Sequence, residues 1–144
     1  MDKPKLDKKR ILSILGQIDV YHNELIQLLP DKFKEYQKTY VKRSCERITQ
    51  LLIETCIDIT NLLIKELRLG LPDEEDNAFE KLAENNVISE EMSEQLKDMK
   101  KFRNLLIHRY GQIDDKLAFE NMSENNKDFV GFKKEILEFL REQK

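Results

Sequence analysis

The fold of this chain is decided by one long apolar stretch, VKRSCERITQLLIETCIDITNLLI, at residues 41–64. Apolar residues recur along it every three or four positions, which is the period of an α-helix. One seam of this helix consists of Val41, Cys45, Ile48, Leu52, Ile59 and Leu63. Its other sides carry Leu51, Ile53, Ile57, Leu62 and Ile64. A helix that is apolar nearly all round is buried on several sides, so this segment is predicted to be the centre of a helical bundle.

The flanking sequence predicts an all-α chain: an antiparallel bundle of about five helices in a single domain, residues 1–144. Gly70, with Pro72 just beyond it, is expected to end the long central helix, and Gly111 the fourth helix. A polar gap around Asn125 suggests that the last helix bends or frays there. The predicted helices are residues 7–28, 32–69, 77–84, 89–110 and 114 onwards.

Composition agrees with a helical, cytoplasmic protein. Of the 144 residues 37% are charged, and the chain contains only four Gly, three Pro and no Trp. No apolar run approaches the ~20 residues that span a bilayer, and the charged N-terminus lacks the apolar core of an export signal. The net charge of −3 argues against binding nucleic acid by bulk charge, but a local basic pocket is possible. Such a pocket is suggested by Lys97, Lys100, Lys101, Arg103 and Arg109.

The cysteines and histidines do not suggest a metal centre. Cys45 and Cys56 fall inside the apolar pattern of the central helix and are expected to be reduced core residues. A zinc site needs further ligands at suitable spacing, and His22 and His108 are the only histidines. His22 is interpreted as structural. No metal and no cofactor are expected.

The fourth predicted helix has an unusual polar face. Its core side is marked by Met99, Phe102 and Leu106. Asn104 and His108, four residues apart, lie together on the opposite side, while Arg103 and Tyr110 align along the boundary. Elsewhere the solvent-facing positions are mostly Lys and Glu, so a stripe of Arg, Asn, His and Tyr is a candidate site.

Each of these residue types suits attack on a phosphodiester. His108 can carry a proton to or from a ribose oxygen near neutral pH, and Arg103 can bind the negatively charged phosphate. Asn104 can orient either group, and Tyr110 can donate a hydrogen bond, stack on a base or accept a modification. Structural interpretations stay open: Arg103 could pair with a carboxylate such as Glu54 or Asp58, His108 could simply complement the helix C-terminus, and Tyr110 could belong to the core edge.

The segment Arg103-Asn104-x-x-x-His108-x-Tyr110 resembles the R-N-x-x-x-H-x-Y motif of HEPN ribonucleases, and specifically that of the HepT toxins. The similarity continues in CIDIT at residues 56–60 and GLP at residues 70–72. It also includes residues 78–83, 87–89 and 110–114, so it covers roughly residues 38–140. With these flanks in the same order, the motif is far more specific than a bare Arg–His spacing.

This resemblance implies a homodimer whose motif helices face each other across an RNA-binding cleft. It also implies a partner, a MntA-type minimal nucleotidyltransferase antitoxin, that neutralises the toxin by transferring AMP to Tyr110. Arg103 and His108 would then be catalytic, with Asn104 supporting them. Asp58 matches the aspartate of the family's central helix and would orient Arg103 or His108, although a plain solvent-side carboxylate is an equally good interpretation.

The sequence therefore predicts a metal-independent endoribonuclease toxin that cleaves RNA through the 2′-hydroxyl. The alternative is a non-catalytic HEPN dimer that binds nucleotide or the nucleotidyltransferase partner. An intact Arg–Asn–His–Tyr set favours the enzyme, because a pure binding module has no need for a histidine at that position.

Overall fold

The computed structural model describes residues 5–108 and 113–143, and within them all regular secondary structure is helical. Seven helical segments follow one another along the chain. They are α1 (Lys8–Leu28), α2 (Phe33–Tyr36), α3 (Thr39–Glu66), α4 (Glu75–Glu84), α5 (Glu90–Ile107), α6 (Asp115–Asn125) and α7 (Lys127–Glu142). The all-α prediction is confirmed, and none of the helices in this part of the chain is long and apolar enough to cross a membrane.

Helix α3 is the centre of the bundle, as predicted, because it packs against α1, α2, α4, α5 and α7. Two of its three buried threonines, Thr55 and Thr60, bond to the backbone of the helix. Thr55 Oγ1 donates to the carbonyl of Leu51 at 2.8 Å, and Thr60 Oγ1 donates to that of Cys56 at 2.9 Å. Both hydroxyls therefore satisfy their hydrogen-bonding requirement within the helix itself.

The predicted helix at residues 32–69 is wrong at both ends. The chain turns at Gln37 and Lys38, so that α2 is a separate single turn. This turn places Tyr36 in the core, with its ring 5.1 Å from that of Phe119 on α6. At the other end, α3 stops at Glu66, before the predicted Gly70 signal.

The end of α3 is a Schellman motif built on an arginine. Arg68 adopts a φ of 57°, its N–H donates to the Lys65 carbonyl at 3.2 Å, and the Leu69 N–H donates to the Ile64 carbonyl at 3.0 Å. These are the two bonds that define this type of helix end. Gly70 also has a positive φ, of 92°, but it follows the motif and does not form it.

The predicted bend near Asn125 is confirmed as the junction of α6 and α7 at Asn126. The Asn126 amide nitrogen donates to the carbonyls of Met122 at 2.8 Å and Ser123 at 3.2 Å. The amide oxygen can only accept, so Nε2 of His22 carries a hydrogen and donates it across 3.0 Å. His22 thus ties α1 to the junction, which agrees with its structural interpretation.

Cys45 and Cys56 are free thiols with no exposed surface, as expected of core residues. Burial raises the pKa of Cys45 to about 11, and it raises the pKa of Cys56 further. Both side chains therefore stay protonated at neutral pH. The described residues also contain no group of three or more His, Cys, Asp or Glu side chains arranged to hold a metal ion.

Candidate functional site

The candidate site is carried by α5, whose start is fixed by two neighbouring contacts. The Ser89 hydroxyl caps the helix by accepting from the Met92 N–H at 3.0 Å. Glu135 of α7 accepts from the Ser89 N–H at 2.6 Å and from the Ser89 hydroxyl at 3.1 Å. Helix α5 is thereby anchored to α7 at the end far from the site.

The rotation of α5 follows its apolar stripe. Met99, Phe102 and Leu106 are each less than a tenth exposed, which confirms the predicted core side. The helix ends at Ile107, earlier than the predicted 110, and His108 forms its C-cap. The His108 N–H donates to the Asn104 carbonyl at 2.9 Å, so these two residues remain joined through the last turn.

Arg103 and Asn104 form one hydrogen-bonded unit with a carboxylate from α4. Arg103 Nη2 donates to Glu75 Oε1 at 2.9 Å. The Asn104 amide oxygen accepts from Arg103 Nη2 at 3.0 Å and from Arg103 Nε at 3.2 Å. The arginine does pair with a carboxylate, but this is Glu75, and neither Glu54 nor Asp58 contributes a hydrogen bond or ion pair to it.

Arg103 belongs to a series of ion pairs between α4 and α5. Lys97 Nζ lies 2.8 Å from Glu80, and Lys100 Nζ lies 2.5 Å from Asp76. The expected basic neighbourhood is therefore largely balanced by α4 carboxylates. The signal was present in the sequence, because acidic residues at 75, 76 and 80 can face basic residues at 103, 100 and 97 across two antiparallel helices.

His108 is exposed and lines a groove of about 370 Å³ between the end of α5 and α6. Most of its walls are apolar, including Leu105, Ile113 and Leu117. Leu105 is 60% exposed and Leu117 is 64% exposed. The sequence did not predict this apolar edge, because neither leucine belongs to the core stripe of its helix.

Two other predicted site residues, Tyr110 and Asp58, are not placed in the site by the described structure. Tyr110 lies outside the described residues, as does Arg109. Asp58 is exposed on α3, where burial and then the Glu54 carboxylate raise its pKa above the usual range. Its supporting role stays a prediction.

The arrangement of α5 can be compared with known proteins. The family described as ribonuclease HepT-like matches residues 11–136, which is most of the chain. The chain belongs to the HepT-like ribonuclease family. The matched region contains α3, α4 and α5, so it includes Glu75, Arg103 and His108 of the candidate site.

Two curated HepT-like relatives carry more specific descriptions. An mRNA nuclease HepT from Shewanella oneidensis is 32% identical over 83 residues, which cover 58% of this chain and 62% of that protein. A tRNA nuclease HepT from Aphanizomenon flos-aquae is 30% identical over 78 residues, 54% of this chain and 53% of that protein. The chain thus spans about half to three-fifths of the length of these relatives.

Solved structures of HepT-like proteins extend the comparison to the fold. The Shewanella oneidensis HEPN toxin, tri-AMPylated and in complex with its MNT antitoxin, superposes with a TM-score of 0.83. Its sequence is 26% identical, and the match covers 89% of this chain and 96% of that one. The HEPN bundle predicted from the motif is therefore confirmed.

Proposed function

We propose that this protein is a metal-independent endoribonuclease and the toxin of a toxin–antitoxin pair, acting in the cytoplasm. The observation that carries the proposal is the placement of Arg103, Asn104 and His108 in the last turns of α5. A half-buried arginine, held by hydrogen bonds, lies at the same helix end as an exposed histidine. Family membership supports the same activity.

The proposed reaction uses the substrate's own 2′-hydroxyl. Its oxygen attacks the adjacent phosphorus, the bond from phosphorus to the 5′-oxygen breaks, and a 2′,3′-cyclic phosphate and a 5′-hydroxyl form. One proton leaves the 2′-hydroxyl and one reaches the 5′-oxygen, and His108 transfers one of them. Arg103 stabilises the negative charge that develops on the phosphate. These two side chains supply the acid–base and charge-stabilising roles that a metal ion would otherwise fill.

RNA is the proposed substrate because this route requires a 2′-hydroxyl, which DNA lacks. The Shewanella oneidensis relative is described as an mRNA nuclease and the Aphanizomenon flos-aquae relative as a tRNA nuclease. Both classes are therefore substrates to test for this chain.

The proposed partner is a minimal nucleotidyltransferase antitoxin of the MntA type, and the proposed acceptor of AMP is Tyr110. The Shewanella oneidensis toxin structure is AMPylated and bound to an MNT antitoxin, which supports this assignment. Adenylylation two residues from His108 would add bulk and a negative phosphate where the RNA phosphate binds. Steric exclusion and like-charge repulsion would both oppose substrate binding.

The protein is further proposed to act as a homodimer in which the two α5 helices face one cleft. The exposed side chains of Leu105 and Leu117, beside His108, support this assembly, since burying them against a second copy is favourable.

RNA cleavage in EDTA tests the proposed activity. Wild-type protein without AMP should cut RNA and leave 2′,3′-cyclic phosphate ends, whereas His108→Ala from the same preparation should be inactive. Equal cleavage by both proteins would identify a contaminant. Absence of cleavage by either, across mRNA and tRNA, would favour a non-catalytic HEPN dimer.

The neutralisation mechanism has its own test. Tyr110→Phe lacks the acceptor oxygen and should remain an active nuclease when incubated with the nucleotidyltransferase and ATP. Wild-type protein should gain one or more AMP groups, seen by mass spectrometry, and lose activity. Repression of Tyr110→Phe would show that modification of this tyrosine is not the mechanism.

A further inference from the structure

Among the described residues, Glu75 is the one residue outside the motif that forms a hydrogen bond or ion pair with the Arg103 guanidinium. It is the first residue of α4, twenty-eight positions before Arg103 in the sequence. Its Oε1 lies 2.9 Å from Arg103 Nη2, and the arginine side chain is only 15% exposed. A carboxylate in the first turn of a helix is also favoured by the helix dipole.

The two acceptors on Arg103 fix the guanidinium group in both position and plane. Glu75 holds Nη2, while the Asn104 amide oxygen bridges Nη2 and Nε. Among the described residues, none accepts a hydrogen bond from Arg103 Nη1, so this nitrogen can donate to a phosphate oxygen. A flexible arginine loses rotamer freedom when it is fixed, and here the protein fixes it before substrate binds.

We propose that Glu75 is a positioning residue of the nuclease, which orients Arg103 so that its Nη1 edge meets the phosphate. This inference rests on the proposed function, since it assigns Arg103 to the transition state. Glu75 itself does not touch the substrate. It acts by holding the arginine in place while charge develops, and misplacement of such a group costs up to ~100-fold in rate.

Helices α4 and α5 offer a matched control. The pair Lys97–Glu80 joins the same two helices at 2.8 Å, with Glu80 four positions or more from either end of α4. Glu80→Gln removes an ion pair of the same kind without touching Arg103. Any loss common to Glu75→Gln and Glu80→Gln therefore reports on helix packing alone.

The test compares kcat, KM and melting temperature for Glu75→Gln, Glu80→Gln and wild type. Glu75→Gln should lower kcat by about 10- to 100-fold with little change in KM, whereas Glu80→Gln should cleave like wild type. The two variants should melt at similar temperatures. In an Arg103→Ala background, Glu75→Gln should cost nothing further, because its effect passes through Arg103.

Wild-type kcat in Glu75→Gln, or an equal loss in Glu80→Gln, would overturn the inference. So would a loss that adds fully to that of Arg103→Ala. A readout without cleavage separates this inference from the proposed function: ¹⁵N NMR of arginine side chains. Wild type and Glu80→Gln should show restricted rotation of the Arg103 guanidinium, and Glu75→Gln should release it. Unchanged rotation in Glu75→Gln would overturn the inference even if no RNA is cut.

Discussion

Asp58 lies on the exposed side of α3, where its charge is opposed by its surroundings. Burial and then Glu54 raise its pKa in the folded protein. A carboxyl with a raised pKa binds its proton more tightly in the folded state than in the unfolded state. The folded protein therefore loses stability as the pH rises through the pKa of Asp58 in the unfolded state and then its pKa in the folded state.

Asp58→Asn removes this unfavourable charge and should raise the melting temperature at pH 7. The gain should shrink as the pH falls through the raised pKa of Asp58 and vanish below ~4, where an unfolded aspartate is itself protonated. Thermal unfolding across this pH range measures it, and a lower melting temperature at pH 7 would contradict the explanation. Cleavage rates of the same variant decide between a supporting role for Asp58, which requires a fall in kcat, and a plain solvent-side carboxylate.

At the same scale, local spacing predicts the residues of the motif but not the partner of Arg103. Met99, Phe102 and Leu106 define the buried side of α5 through local spacing alone, and Arg103 and Asn104 follow from that rotation. Glu75 reaches Arg103 only once α4 has packed on α5. Periodicity within one helix carries no information on that packing. The acidic residues of α4 and the basic residues of α5 are the sequence signal that the two helices face each other.

Among the elements, α3 shows how a local signal can mislead. Gly70 followed by Pro72 is a sound termination pattern, yet the helix ends at Glu66. Arg68 takes the left-handed conformation instead, because the Leu69 N–H can then close on the Ile64 carbonyl. Two endings were available within four residues, and the Gly–Pro pattern alone does not choose between them.

Arg68→Gly should stabilise the protein by about 1 kcal/mol, because a side chain in this backbone conformation is strained and glycine is not. Urea unfolding should show a higher midpoint with an unchanged slope. The control is Asn86, which follows the end of α4 and has a similar φ of 59°. Asparagine tolerates this conformation better, so Asn86→Gly should give a smaller gain. A loss of stability in Arg68→Gly would mean that contacts of the arginine side chain outweigh its strain.

At the scale of the whole molecule, the proposed dimer depends on the exposed apolar edge beside His108, which includes Leu105 and Leu117. Leu105→Glu places a charge where the second copy would bury a leucine, and it should convert the dimer into a monomer in light-scattering measurements. Leu12→Glu is the matched control, since Leu12 is 48% exposed on α1. A Leu105→Glu protein that stays dimeric would place the interface elsewhere. A monomer that still cleaves RNA would show that one chain completes the site.

The two cysteines give this molecule a practical property. With both thiols fully covered and their pKa values raised, reagents such as maleimides should find no reactive sulfur in the folded chain. A single cysteine introduced at an exposed position would then be the only target for a fluorophore or spin label. Distances between two copies, or between this chain and the proposed nucleotidyltransferase partner, become measurable without first replacing Cys45 and Cys56 and disturbing the centre of α3.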